Sequence, residues 1–83
     1  MRYIINIPFD GVLYSFSLGL YHDGDSRRIE VPGVVIFDLW RVHAHSYSLV
    51  AFFYSNKIIV SQRFYGTKKE LYCAIQKLLQ EYL

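Results

Sequence analysis

The residues best suited to chemistry in this 83-residue chain are few and scattered. His43 and His45 form an H-x-H pair, and in an extended segment both rings would share one face. His22, Asp23 and Asp25 could extend such a set toward a metal. No cysteine pair and no H-E-x-x-H accompanies them, so the spacing fits turn histidines better than ligands. Asp23-Gly24-Asp25 looks like the start of a calcium loop, but the twelfth position is Val34 where a bidentate Glu is required. Cys73 is the single cysteine and falls inside an expected helix, away from the N-terminus that would activate it. There is no G-x-S-x-G elbow and no phosphate-cradling glycine loop. The expectation is a non-enzyme with no catalytic residue, no metal and no cofactor.

Composition narrows the class further. The length fits one domain, residues 1–83. Net charge is +2, small for a dedicated nucleic-acid binder. One cysteine excludes an internal disulfide. Asn6 and Pro8 interrupt the apolar start before a signal sequence could form, and no run reaches the ~20 apolar residues of a membrane span. These features point to a cytoplasmic protein. Eight Tyr, six Phe and one Trp serve either to fill a small core or to build a recognition surface.

Ser46 to Leu83 carries the clearest structural signal: strand, turn, strand, elbow, helix. Thr67-Lys68-Lys69-Glu70 is a capping box, which starts a helix at Thr67. Leu71, Ile75, Leu78 and Tyr82 recur at helical spacing, flanked by Tyr72 and Leu79. Placing Ser55 and Asn56 at the turn opposes Tyr47, Leu49, Ala51 and Phe53 to Phe64, Gln62, Val60 and Ile58. That face is nearly all apolar and should meet the helix. The other face holds Ser48, Val50, Phe52, Tyr54, Lys57, Ile59, Ser61 and Arg63, which is aromatic and partly basic.

Upstream, Arg2 to Ile7 and Val12 to Leu20 read as a hairpin turning at Asp10-Gly11, with Ile7 opposite Tyr14 and Ile5 opposite Phe16. Val12, Tyr14, Phe16, Leu18 and Leu20 form its buried side. Tyr21 to Gly33 is rich in charge and reads as a long loop with room for a short strand at Arg28 to Val31. Val34 to Val42 is a central strand containing Asp38, which would either pair with Arg41 or Arg63 or face solvent. The expected fold is α+β: an antiparallel or mixed sheet of about five strands with the C-terminal helix on one face.

The segment WRVHAHSYSLVAFFYSNKIIVSQRFYGTKKEL, from Trp40, resembles in outline the integrase arm-type and ethylene-response-factor DNA-binding domains. Phe64, Thr67, Lys69 and Glu70 sit where that family turns into its helix. The resemblance covers residues 40–83, about half the chain. It implies a three-stranded sheet backed by a helix, with the exposed sheet face reading DNA. Here that face would offer Lys57, Arg63 and Arg41, with Val50, Phe52 and Ile59 where the family has basic and polar residues.

The leading functional expectation is a protein-binding module, an inhibitor or adaptor that occupies a partner surface. Phage-encoded inhibitors of host defence, anti-CRISPR proteins among them, and immunity proteins are comparable in size. A sheet-reading nucleic-acid binder and a structural homodimer are the alternatives. Candidate contact residues are Phe52, Tyr54, Lys57 and Arg63 on the sheet, with Arg27 and Arg28 projecting from the loop.

Overall fold

The computed structural model describes residues 2–83. Six strands and one helix follow one another: β1 (Ile4–Phe9), β2 (Val12–Ser17), β3 (Ser26–Val31), β4 (Val35–His43), β5 (Ser46–Phe53), β6 (Ile58–Tyr65) and α1 (Lys68–Tyr82). The class is α+β as expected. The expected single sheet of about five strands is instead two antiparallel sheets, a β1-β2 hairpin and a four-stranded sheet ordered β3-β4-β5-β6.

Local chemistry explains both expected hairpins. Asp10 and Gly11 both take left-handed φ, 53° and 75°, which is the mirror-image turn that matches strand twist. The resulting register sets Ile7 against Tyr14 and Ile5 against Phe16. Tyr54 to Lys57 closes the β5-β6 hairpin, and Tyr47, Leu49, Ala51 and Phe53 face Phe64, Gln62, Val60 and Ile58. Both registers are those read from alternation.

Three expectations are corrected. The segment from Tyr21 to Gly33 is not a long loop, because Ser26–Val31 is a full strand paired along β4. Its Ile29 and Val31 alternate inward and are buried, Arg28 and Glu30 face outward, and Arg27 takes the remaining inward position half-buried. The N-terminal hairpin does not extend the large sheet. Gly19 and Leu20 take φ of 66° and 63°, and this bend swings the chain across rather than alongside β3. A leucine there costs about 1–2 kcal/mol, offset by its near-complete burial. Finally, Val12 and Tyr14 are exposed together with Phe9 and Leu13, so the hairpin tip overhangs the core and only Ile5, Ile7, Leu18 and Leu20 are buried.

The core lies between the helix, the hairpin and one face of the four-stranded sheet. Val35, Phe37, Leu39, Tyr47, Leu49, Ala51 and Phe53 supply that face. The helix buries Leu71, Ile75 and Leu79 at successive turns, and Tyr72, Leu78 and Tyr82 pack half-buried against the same core. Each such buried side chain contributes roughly 1.5–3 kcal/mol. Tyr3 stacks on Tyr72 with ring centroids 5.3 Å apart, and Tyr82 lies 5.1 Å from Phe53. These contacts place helix and hairpin on the same side of the sheet.

Candidate functional site

With helix and hairpin on one side, the opposite sheet face is left without a covering layer. Strand alternation and register assign its residues. One row runs Glu30, Ile36, Phe52, Ile59; the next runs Arg28, Asp38, Val50, Ser61; the third runs Ser26, Trp40, Ser48, Arg63. Ile59 is 67% exposed, Tyr65 73% and Trp40 48%. Phe52 is half-buried and packs edge-on to Tyr54, with centroids 4.8 Å apart. A shallow depression of about 460 Å³ opens beside this ridge, lined by Ser26, Arg28, Asp38, Trp40, Ser48 and Val50 among others.

The charges on this face are largely balanced. Arg28 stands directly across from Asp38, with Nη1 to Oδ1 at 3.9 Å, and its Nε is 3.6 Å from Glu30. Asp38 faces solvent, one of the expected alternatives, and its nearest cation is Arg28 where Arg41 or Arg63 was the expected partner. Each of these pairs is solvent-exposed and contributes little stability, about 0–1 kcal/mol. Arg63 and Lys57 have no carboxylate within ion-pair distance among the described residues.

Of the six residues singled out from the sequence, Phe52, Tyr54, Arg28 and Arg63 share this face, and Lys57 stands in the turn at its end with φ 53°. Arg27 does not. It lies in β3 on the other side, half-buried, and its Nε donates to the Ser17 carbonyl at 3.0 Å. The projecting loop that was to carry both arginines is absent, and Arg27 pins the hairpin to the sheet instead. Trp40 and Tyr65 were missed as candidates. Alternation outward from buried Leu39 marks Trp40 as outward-facing, but a lone Trp within an apolar run reads first as core.

Arg41 is likewise unavailable to a ligand on this face. Its Nη1 donates to the carbonyls of Tyr21 at 2.8 Å and Leu20 at 3.3 Å, and its Nε lies 3.2 Å from Asp23 Oδ1. The Asp25 carboxylate accepts from the amides of Tyr21 and His22 at 3.0 and 2.9 Å, so the loop is held from within as well. Lys68 packs over the Tyr21 ring at 4.0 Å. Desolvation there, reinforced by Arg41, lowers the Lys68 pKa, while Asp25 opposes the shift. The acidic side chains near His22 are thus spent on loop geometry. His45 takes φ 65° in the β4-β5 turn and the His43 ring contacts the Ala44 carbonyl. No cluster of three or more metal-ligating side chains forms among the described residues. No helix among them is long and apolar enough to cross a membrane. No family model, no curated protein and no solved structure matches the chain.

Proposed function

We propose that this chain is a non-catalytic protein-binding module whose working surface is the uncovered face of the four-stranded sheet. The observation that carries the reading is that Trp40, Phe52, Tyr54, Ile59 and Tyr65 lie on or beside a face that neither helix nor hairpin covers. Exposed apolar ridges rimmed by polar groups mark interaction sites. Aromatic anchors are the usual source of binding energy in such surfaces. Phe52 and Tyr54 anchor the contact, and Arg28, Lys57 and Arg63 orient it at the rim. A module of this size acts by occupation, as an inhibitor or adaptor of the kind represented by phage-encoded inhibitors of host defence, anti-CRISPR proteins included, or by immunity proteins. A cytoplasmic setting suits its exposed free Cys73.

Nucleic acid is the second reading, carried by Lys57 and Arg63 beside aromatic rings. It ranks lower because Arg28 is balanced by Glu30 and Asp38, and Arg41 is engaged in the loop. The test is retention of lysate components on immobilised wild type and on Ile59→Ser with Tyr65→Ser, each with and without nuclease. A nuclease-resistant protein retained by wild type and lost by the variant is the expected result. Retention that disappears with nuclease moves the assignment to nucleic acid. Equal retention by both chains removes the face from the function.

A further inference from the structure

The strand β6 ends the large sheet, so its outer row of backbone N–H and C=O groups has no strand beside it. No hydrogen bond from any other described residue reaches that outer row. The other edge is defended: β3 alternates charges at Arg28 and Glu30, and Arg27 ties it to the hairpin end. The β6 edge contains no proline and no bulge, the ladder irregularity lying between Arg41 and His43 on β4, and Arg63 is its one charged residue. Long edges with so few defences pair with other strands.

Two features say which strand. The first is the sequence of the edge, Ile59-Val60-Ser61-Gln62-Arg63-Phe64-Tyr65. Its polarity reads the same in both directions about Gln62: two apolar residues, one polar, the centre, one polar, two apolar. Antiparallel pairing of this strand with itself about Gln62 sets Ile59 against Tyr65, Val60 against Phe64 and Ser61 against Arg63. Every side chain stays on its own face, and no like charges stand directly opposite. A one-residue slip in the pairing would send each face to the wrong side.

The second feature is an unfinished core. Leu49 is fully buried, yet its cross-strand neighbour Gln62 on the same face is exposed. Ile58, Val60 and Phe64 on that face are only half-buried. The core that the helix closes therefore thins toward β6. A second β6 would bring Val60 and Phe64 from each copy over one another and close this gap.

We propose that the chain forms a two-fold symmetric dimer by antiparallel β6–β6 pairing centred on Gln62. The contact is isologous and closes on itself, because the two-fold uses up the β6 edge of both copies. The two four-stranded sheets become one continuous sheet with both helices on the same side, and the two uncovered faces merge. The dimer stands whatever occupies those faces.

The experiment combines sedimentation equilibrium with a cysteine scan in a Cys73→Ser background. The wild-type chain is expected to sediment as a dimer at high concentration. Gln62→Lys, on an exposed side chain, sets like charges opposite each other at the axis; it is expected to loosen the dimer several-fold with unchanged circular dichroism. Under mild oxidation Gln62→Cys is expected to cross-link to its own copy, and Arg63→Cys and Ile59→Cys much less, because only position 62 meets itself. A monomer at every concentration overturns the proposal. So does a dimer whose cross-linking is not strongest at position 62.

Discussion

Arg41 and Asp23 lie 18 residues apart in sequence, yet Nε and Oδ1 are 3.2 Å apart. The same guanidinium holds the Leu20 and Tyr21 carbonyls, so one half-buried side chain closes the whole connection between the hairpin and the large sheet. Lysine carries one donor centre where this site uses a planar fork. Arg41→Lys is therefore expected to lose about 1–3 kcal/mol by urea denaturation. Arg28→Ala, which breaks only exposed pairs, is expected to stay within about 0.5 kcal/mol of wild type. Equal losses for the two would show that the loop does not depend on Arg41.

The helix start gives a second measurement. Thr67 Oγ1 accepts from the Glu70 amide at 3.1 Å, and Glu70 Oε1 accepts from the Thr67 amide at 2.9 Å. Thr67→Ala is expected to cost roughly 0.5–2 kcal/mol by thermal or urea unfolding. An unchanged midpoint would show that the helix gains nothing from this cap.

Acid should expose the other half of the same motif. Hydrogen bonds from the Thr67 backbone and then its side chain hold the Glu70 carboxyl below its ordinary 4.5. A depressed folded-state pKa means the contribution is present above the unfolded value and is lost as pH falls through the lower, folded one. Between neutral pH and about pH 3, wild type should lose more stability than Glu70→Gln. Parallel pH profiles for the two chains would rule out a contribution from the ionised carboxylate.

On the uncovered face, exposure separates binding from folding. Ile59 and Tyr65 are highly exposed, so replacing them with Ser should leave the melting temperature near wild type. Phe52 packs against Tyr54, so Phe52→Ala with Tyr54→Ala should show a modest loss of stability together with a binding loss above about 1–2 kcal/mol. Heavy destabilisation with normal binding by the folded fraction would make those two rings structural only.

The two arginines of β3 should now behave differently. Arg28 faces outward, and Arg28→Ala should lower the salt dependence of the on-rate for a charged partner. Arg27→Ala should leave the on-rate alone and lower stability, because its bond to Ser17 holds the hairpin. The same on-rate change from both variants would contradict this division.

How much of this was readable in the residues differs from element to element. The helix start, both hairpin turns and both registers followed from Thr67-Glu70, Asp10-Gly11 and strict alternation, all local signals. Of β3 only the stretch Arg28 to Val31 was legible, because Arg27 takes an inward position that a period-two reading reserves for apolar side chains. The division into two sheets was hidden in Leu20, whose left-handed backbone no propensity would suggest. Whether the aromatic face lay open depended on that same bend, since the bend carries the hairpin to the helix side. Trp40 stayed hidden because its outward direction follows from Leu39 and Phe37 being buried, a fact about packing and not about composition.

The N-terminal hairpin shares no ladder with the four-stranded sheet. Its attachment consists of packed side chains, the loop clasp and the Arg27 bond to Ser17. Such a piece can swing away without rupturing any backbone bond of β3 to β6. In amide-exchange experiments the hairpin and the sheet should then report as two cooperative units, β1 and β2 opening at lower free energy than β4 and β5. During that excursion Tyr72, which stacks on Tyr3, would meet water while the large sheet stays intact, so a protease that nicks near Gly19 should release the hairpin and leave a long-lived, sticky remainder.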